Sequence, residues 1–188
     1  MSDAIDRSLA EALVLDRKGY SYVVHPLMDG VPRCDPKLLK GWTGWAAKQG
    51  DILENADLLL APEAMGLPLV AALSLRTGIP YAVIRKRQYG LPGEEVAYCE
   101  TGYGESCLHV NDVRPGEKVV LVDDVVSTGR TLDALLGALA GMKAKVNGVL
   151  VFADKGKSRA TLEERHGVPV RAMKTLKVVA GKVRLATE

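Results

Sequence analysis

The chain has 188 residues, 47% hydrophobic and 26% charged, proportions that suit one compact domain around a single core. Its 25 basic and 23 acidic side chains give a formal charge of +2, without the one-sign excess of a protein built to coat nucleic acid or an anionic membrane. Three scattered cysteines, Cys34, Cys99 and Cys107, make neither a disulfide framework nor a metal-type spacing, and they suit a reducing compartment. No apolar run approaches the ~18 residues of a membrane span, and the mixed charges of Met1–Tyr20 are unlike a secretory leader, so a cytoplasmic address is expected.

Ile5, Leu9, Ala12 and Leu13 give residues 4–15 a helical spacing. Tyr20–Val24 reads as a short strand, stopped by Pro26 and an Asp29-Gly30 turn. Asp35-Pro36 has the form of a helix cap and first-turn proline. The helix behind it carries Leu38, Leu39, Trp42, Trp45 and Ala46 on one face, although Gly41 and Gly44 weaken it. The two tryptophans read as core or subunit-contact packing.

From there strands and helices alternate. Asp57–Ala61 is a buried strand, Leu67–Arg76 a helix and Tyr81–Ile84 a second strand. Residues 85–106 are polar and glycine-rich, with weak strand patterns around Val96–Cys99 and Cys107–Val110. Lys118–Val122 has the continuous apolar run of a strand covered on both faces. Leu132, Leu135, Leu136, Leu139 and Lys143 then mark an amphipathic helix. Val146–Phe152 is a strand, Ser158–Arg165 a short helix and Val168–Val170 a last strand. The alternation implies an α/β fold with a mainly parallel sheet and right-handed crossovers.

Ligands of such sheets bind beyond the carboxyl ends of the strands. The segment Val119–Thr131 brings two adjacent acids, Asp123 and Asp124, to that rim and then turns through Ser127, Thr128, Gly129, Arg130 and Thr131 into a helix. Free N–H groups and hydroxyls at a helix start make a cradle for a phosphate monoester, and Gly129 permits a left-handed turn and close approach. Bare carboxylates repel phosphate, so the acid pair beside it calls for sugar hydroxyls or a cation. A ribose 5-phosphate satisfies both halves. No Gly-x-x-x-x-Gly-Lys-Ser/Thr loop is present, which excludes the Walker type.

Val119–Thr131 resembles the phosphoribosyl-pyrophosphate signature of type I phosphoribosyltransferases. Other segments follow in that family's order: Ala61–Pro68 where it places the pyrophosphate loop, and Ile84–Gly93, with Arg85, Lys86 and Arg87, leading into its flexible loop. The resemblance spans roughly residues 20–175. Glu63–Gly66, Arg85–Arg87, Leu91–Glu95 and Thr101–Tyr103 are most similar to the archaeal hypoxanthine/guanine branch, itself similar to adenine phosphoribosyltransferases.

The resemblance implies a single domain over 1–188, with a hood from about 18–34 and a flexible loop at about 86–106, that transfers phosphoribosyl to a purine in salvage. It implies that Asp123 and Asp124 meet the ribose and, through water, Mg²⁺. Ser127–Thr131 are expected on the 5-phosphate, and Glu63, Ala64, Met65, Gly66, Arg85 and Lys86 on pyrophosphate. Tyr103 is expected to close over the site. Lys155 lies 31 positions beyond Asp124, the spacing at which 6-oxopurine enzymes are similar in placing a lysine on O6. Phe152, the only phenylalanine, is open to base stacking or to a core role.

Two positions depart from the family pattern. Gly102 precedes the loop tyrosine where adenine enzymes carry an acid, and Ser127 stands where many 6-oxopurine enzymes carry an aspartate. Neither family's acid–base assignment therefore carries over; with Lys155 as the guide, the base order expected is hypoxanthine/guanine, then adenine, then xanthine. A phosphoribosyl-pyrophosphate-sensing regulator is the non-enzyme alternative, opposed by Arg85-Lys86 and by the ~20 residues ahead of the first strand, too few for a DNA-binding module. An orotate enzyme is opposed by Glu63–Gly66 and Leu91–Glu95. A homodimer is the family expectation, with no nucleic-acid or membrane partner. His25 reads as a packing or turn residue, and His109 and His166 are given no function.

Overall fold

The computed structural model describes residues 2–17, 19–101, 104–156 and 158–186. Helix α1 (Ser2–Ala10) leads into an antiparallel hairpin, β1 (Leu13–Arg17) and β2 (Tyr20–Val24). The helical spacing of residues 4–15 thus ends early. Ile5 and Leu9 are buried as expected, but Leu13 and Val14 pair with Val24 and Val23, and Gly19 takes the left-handed turn (φ 83°). Apolar residues so closely spaced fit either period, and the pairing partner decides.

Helices α2 (Pro26–Asp29), α3 (Pro36–Ala46) and α4 (Gly50–Leu53) follow. Asp35 caps α3, accepting the Lys37 N–H at 2.8 Å. The α/β body then runs β3 (Leu58–Pro62), α5 (Gly66–Thr77), β4 (Tyr81–Ile84), β5 (Glu95–Thr101), β6 (Gly104–Val110), β7 (Lys118–Val126), α6 (Arg130–Gly141), β8 (Lys145–Asp154), α7 (Ser158–His166), β9 (Val170–Val179) and β10 (Lys182–Leu185).

Six strands form one sheet in the order β10-β9-β8-β7-β3-β4, parallel except for β10 against β9. The expected mainly parallel sheet flanked by helices is the observed one. Side-chain alternation divides its core in two. Leu59, Ala61, Val120, Val122, Leu150 and Phe152 pack with α1, α3 and α5, whereas Leu58, Leu60, Val119, Leu121, Val149 and Val151 pack with α6 and the β5–β6 hairpin. That hairpin, only weakly patterned in the sequence, has a continuous seven-residue register and joins the body through paired backbone hydrogen bonds between Arg85 and His109. Strand β9 runs well past the expected Val170, and β10 was not foreseen. Basic residues interrupt both, at Arg171, Lys174 and Lys177 in β9 and at Lys182 and Arg184 in the edge strand β10, so their apolar runs are too broken to announce a strand.

Candidate active site

Strand β7 is the innermost feature of the site. Val119, Val120, Leu121 and Val122 are fully buried, which fixes the height at which the chain emerges at the sheet rim. Asp123, the next residue, lines a cavity of about 120 Å³ together with Val125–Leu132. Gly129 closes that loop at φ 76° and starts α6 with no side-chain cap, leaving the first N–H groups of the helix directed at the cavity. A Cβ at Gly129 would also stand 2.9 Å from the Ser158 Cβ, so glycine is required twice over. Gly156 supports the loop from behind: a Cβ there would fall 2.2 Å from the Ser127 carbonyl oxygen, which accepts the Ser158 hydroxyl at 2.8 Å. Sequence reasoning missed Gly156 and Ser158, since nothing local to residues 156–158 shows that Ser127 lies against them.

The acid pair is electrostatically unusual. Burial pushes the Asp123 carboxyl well above the ordinary range; burial and then the neighbouring Asp123 charge push Asp124 up further. Asp123 accepts the Asp124 N–H at 2.9 Å, and no cationic side chain pairs with either acid among the described residues. Such a pair favours hydroxyl donors or a cation. Among the described residues no three His, Cys, Asp or Glu side chains converge on a metal-sized point. The donor set therefore fits a cation that arrives with oxygen ligands of its own and not a protein cage.

The turn from β3 into α5 holds Glu63, Ala64, Met65 and Gly66, with a cis Glu63–Ala64 peptide. Gly66 is a close-approach glycine: a Cβ would lie 3.0 Å from the Val122 carbonyl oxygen, so this turn is set directly beside the acids of β7. Glu63 is occupied. Its Oε2 stands 3.0 Å from Arg85 Nε and its Oε1 accepts the Lys86 N–H at 2.6 Å. The Glu63 carboxylate, expected on pyrophosphate, ties the β4 end to the β3 end and holds Arg85 at the rim. Tyr103, expected to close over the site, and Gly102 lie outside the described residues.

The hood hairpin brings in residues the sequence did not mark. Tyr20 and Tyr22, two apart on β2, face the Lys155 ammonium, at 4.5 and 6.0 Å from their ring centroids. Lys155 donates to the Tyr20 hydroxyl and to the Ser21 carbonyl, each at 3.0 Å, and the Tyr20 hydroxyl lies 3.2 Å from Ser127 Oγ. Tyr20, Ser21, Ser127 and Lys155 line a cavity of about 400 Å³ with Leu176–Val179 of β9. Tyr22 donates to Asp29, which also accepts the His25 N–H; that carboxylate pushes the Tyr22 phenol up to about 12. Lys155 and Ser127 of this cluster were singled out in the sequence; for the hood residues the i, i+2 tyrosines were the one signal.

Phe152 is placed in the core and not on the cavity: it is fully buried, with His25 stacked on it at 5.1 Å. Burial lowers the His25 imidazole to about 4, so it is neutral at physiological pH. Its Nδ1 accepts the Leu27 N–H, so Nε2 carries the hydrogen that is donated to Ser8 Oγ at 2.9 Å. His25 is thus a packing and capping residue, and Trp42, also fully buried, donates to the Leu69 carbonyl.

Residues 35–168 match the phosphoribosyl transferase domain family. The chain is 43% identical, over 97% of its length and 95% of the relative's, to hypoxanthine/guanine phosphoribosyltransferase of Methanobacterium paludis. It is 40% identical to the enzyme of the same name in Methanocaldococcus jannaschii, covering 95% of this chain and 97% of that one. Among solved structures, adenine phosphoribosyltransferase of Rhodothermus marinus superimposes with a TM-score of 0.72 over 94% of this chain and all of that one; at 19% identity this is a likeness of fold. An acid pair at the end of a buried strand, an uncapped helix start beside it and near full-length identity to these archaeal proteins lead to one assignment: the chain belongs to the phosphoribosyltransferase family, in the branch of the archaeal hypoxanthine/guanine enzymes.

Proposed function

We propose that this protein transfers the 5-phosphoribosyl group of phosphoribosyl pyrophosphate to hypoxanthine or guanine, releasing pyrophosphate and a nucleoside monophosphate. The C1–O bond to pyrophosphate breaks, its electron pair leaving with pyrophosphate, a C1–N bond to the purine forms, and the proton of the purine nitrogen passes to the released pyrophosphate or to water. The observation that carries the choice of base is the position of Lys155, held at the wall of a cavity that adjoins the phosphate loop through Ser127. An ammonium can only donate, so it matches a 6-oxo group and not the 6-amino group of adenine. The names of the Methanobacterium and Methanocaldococcus relatives support the same bases.

In this reading the N–H groups and hydroxyls of Ser127–Thr131 hold the 5-phosphate, and Asp123 and Asp124 accept from the ribose hydroxyls. Ala64, Met65 and Gly66 offer N–H groups to the pyrophosphate, with Arg85 and Lys86 offsetting the charge that develops on it. Tyr103 closes over the reacting atoms. Asp123 and Asp124 would hold Mg²⁺ through water, and when bound the ion supplies charge neutralisation to the diphosphate. The domain is a single unit over 1–188 with its hood at about 18–34; of the flexible loop expected at about 86–106, residues from Glu95 to Thr101 and from Gly104 onward belong to the β5–β6 hairpin. No helix among the described residues is long and apolar enough to cross a membrane, and a cytoplasmic enzyme with no nucleic-acid partner fits the charge balance. A homodimer is the family expectation; on the surface an apolar groove between α3 and α5, about 660 Å³, carries the 91% exposed Leu75 beside half-buried Leu39 and Ala72.

A spectrophotometric panel of hypoxanthine, guanine, xanthine and adenine with phosphoribosyl pyrophosphate and Mg²⁺ tests this. Turnover of hypoxanthine and guanine is expected. Turnover of adenine alone would remove the Lys155 reading, and tight phosphoribosyl-pyrophosphate binding with no turnover of any base would make the protein a sensor.

A further inference from the structure

We propose that Tyr20 is a positioning residue for base recognition, setting the Lys155 ammonium against the 6-oxo group and linking it to the phosphate loop through Ser127. This rests on the reading of Lys155 given above. A lysine on its own is a poor discriminator: four rotatable bonds let it retreat from an unsuitable group, and its charge tolerates many acceptors. Here the ammonium is held on two sides, by the Tyr20 hydroxyl and the Ser21 carbonyl, each at 3.0 Å, with the Tyr20 ring against it at 4.5 Å. Of its three N–H donors these contacts use two, which leaves one to meet a ligand in the cavity that Tyr20, Ser21, Ser127 and Lys155 share.

The same hydroxyl touches the other half of the site. Ser127 Oγ lies 3.2 Å from the Tyr20 oxygen, and Ser127 lines both the base-side cavity and the phosphate cavity. Either hydroxyl can donate to the other while the loop is free. An anion in the loop draws the Ser127 hydrogen to itself, so the Tyr20 hydrogen must turn to Ser127 Oγ. The chain then runs in one direction, Lys155 to Tyr20 to Ser127 to phosphate, each donor polarised by the next. Phosphate binding thereby strengthens the Tyr20 grip on Lys155. The link is reciprocal, since any coupling between two bound ligands is the same read from either side. A lowered Tyr20 phenol fits this placement: burial raises it, but the hydrogen bonds with Ser127 and Lys155 and the lysine charge together outweigh burial.

The decisive variant is Tyr20→Phe, which keeps the ring under the ammonium and removes the hydroxyl. The KM for hypoxanthine should rise roughly 5- to 10-fold, the loss of one charge-assisted hydrogen bond, with the KM for phosphoribosyl pyrophosphate changed less than about twofold. Turnover of adenine relative to hypoxanthine should rise at the same time. In the wild type the hypoxanthine KM should fall as phosphoribosyl pyrophosphate approaches saturation, and in Tyr20→Phe that dependence should vanish. Ser127→Ala should abolish the same dependence, and the double variant should lose no more of it than either single one. A base KM unchanged in Tyr20→Phe, with the wild type still using hypoxanthine, would overturn the proposal and leave the proposed function standing. Equal losses toward both substrates with a lowered unfolding midpoint would reduce Tyr20 to a structural residue and also overturn it. A wild type that uses adenine alone would take down the Lys155 reading and this proposal together.

Discussion

The rim of β7 and the hood hairpin face each other across the site and handle charge in opposite ways. On the hood, Tyr22 donates to Asp29, Asp29 also accepts from the His25 backbone, and the neutral His25 ring is satisfied at both nitrogens. On the rim, buried Asp123 and half-buried Asp124 stand side by side with raised proton affinity and α6 begins without a side-chain cap. The hood is complete as it stands, whereas the rim becomes electrostatically reasonable only with hydroxyls, a cation and an anion in place. A scaffold can satisfy its polar groups internally, but a binding site must keep some for its ligand.

The largest effect should come from breaking the rim. Asp124→Asn should lower kcat/KM on the order of 100-fold or more, because the proposed sugar site loses a negative charge and one acceptor oxygen gives way to a donor. The same change should raise the unfolding midpoint of the free protein by about 2–5 °C, since it relieves like-charge repulsion. Steady-state kinetics and thermal unfolding on one preparation check both. Reduced activity together with reduced stability would mean the acid pair belongs to the scaffold.

The contrast should next appear in the pH dependence of stability. The unfolded His25 takes a proton below about pH 6.5 while the folded one resists until about pH 4. Across that window the unfolded state binds more protons, so His25 makes the fold less stable as pH falls, on the order of 3 kcal/mol in all. The raised acids act with the other sign: folded Asp123 and Asp124 take up protons before their unfolded counterparts, so stability rises as pH falls through their titration. In the wild type the two acids should therefore offset the His25 slope over this range. The double variant Asp123→Asn/Asp124→Asn should expose the His25 slope, and parallel curves for the two proteins would contradict the contrast.

The smallest effect should come from Glu63, which joins the two strand ends by holding Arg85 and the Lys86 N–H. Glu63→Gln keeps an acceptor for the N–H but removes the ion pair. A drop in kcat of about 3- to 10-fold with an unchanged hypoxanthine KM is expected, as a partly exposed pair contributes modestly and, in the proposed reading, acts on the pyrophosphate side. A change confined to the base KM would place Glu63 elsewhere in the mechanism.

Much of this was legible in the chain itself. Val119–Val122 can only be a doubly covered strand, so the acids that follow must reach the rim, and Gly129 before a helix pattern marks the anion turn. Illegible were contacts that join distant positions: Gly156 against Ser127, Glu63 against Arg85, and Tyr20 against Lys155, which are 135 residues apart. Strand β1 was hidden because its apolar residues also suit a helix, and β10 because edge strands carry little apolar signal.

By itself the amino-acid order determined the alternating α/β architecture, the strand that delivers Asp123 and Asp124 and the glycine turn into α6, because each depends on local period and turn chemistry. Only the tertiary structure decided that Glu63 serves Arg85, that Phe152 is covered by His25 and that Tyr20 spans the lysine and the phosphate loop. A side chain's partner is chosen by which elements pack together in space, and no local pattern encodes that choice.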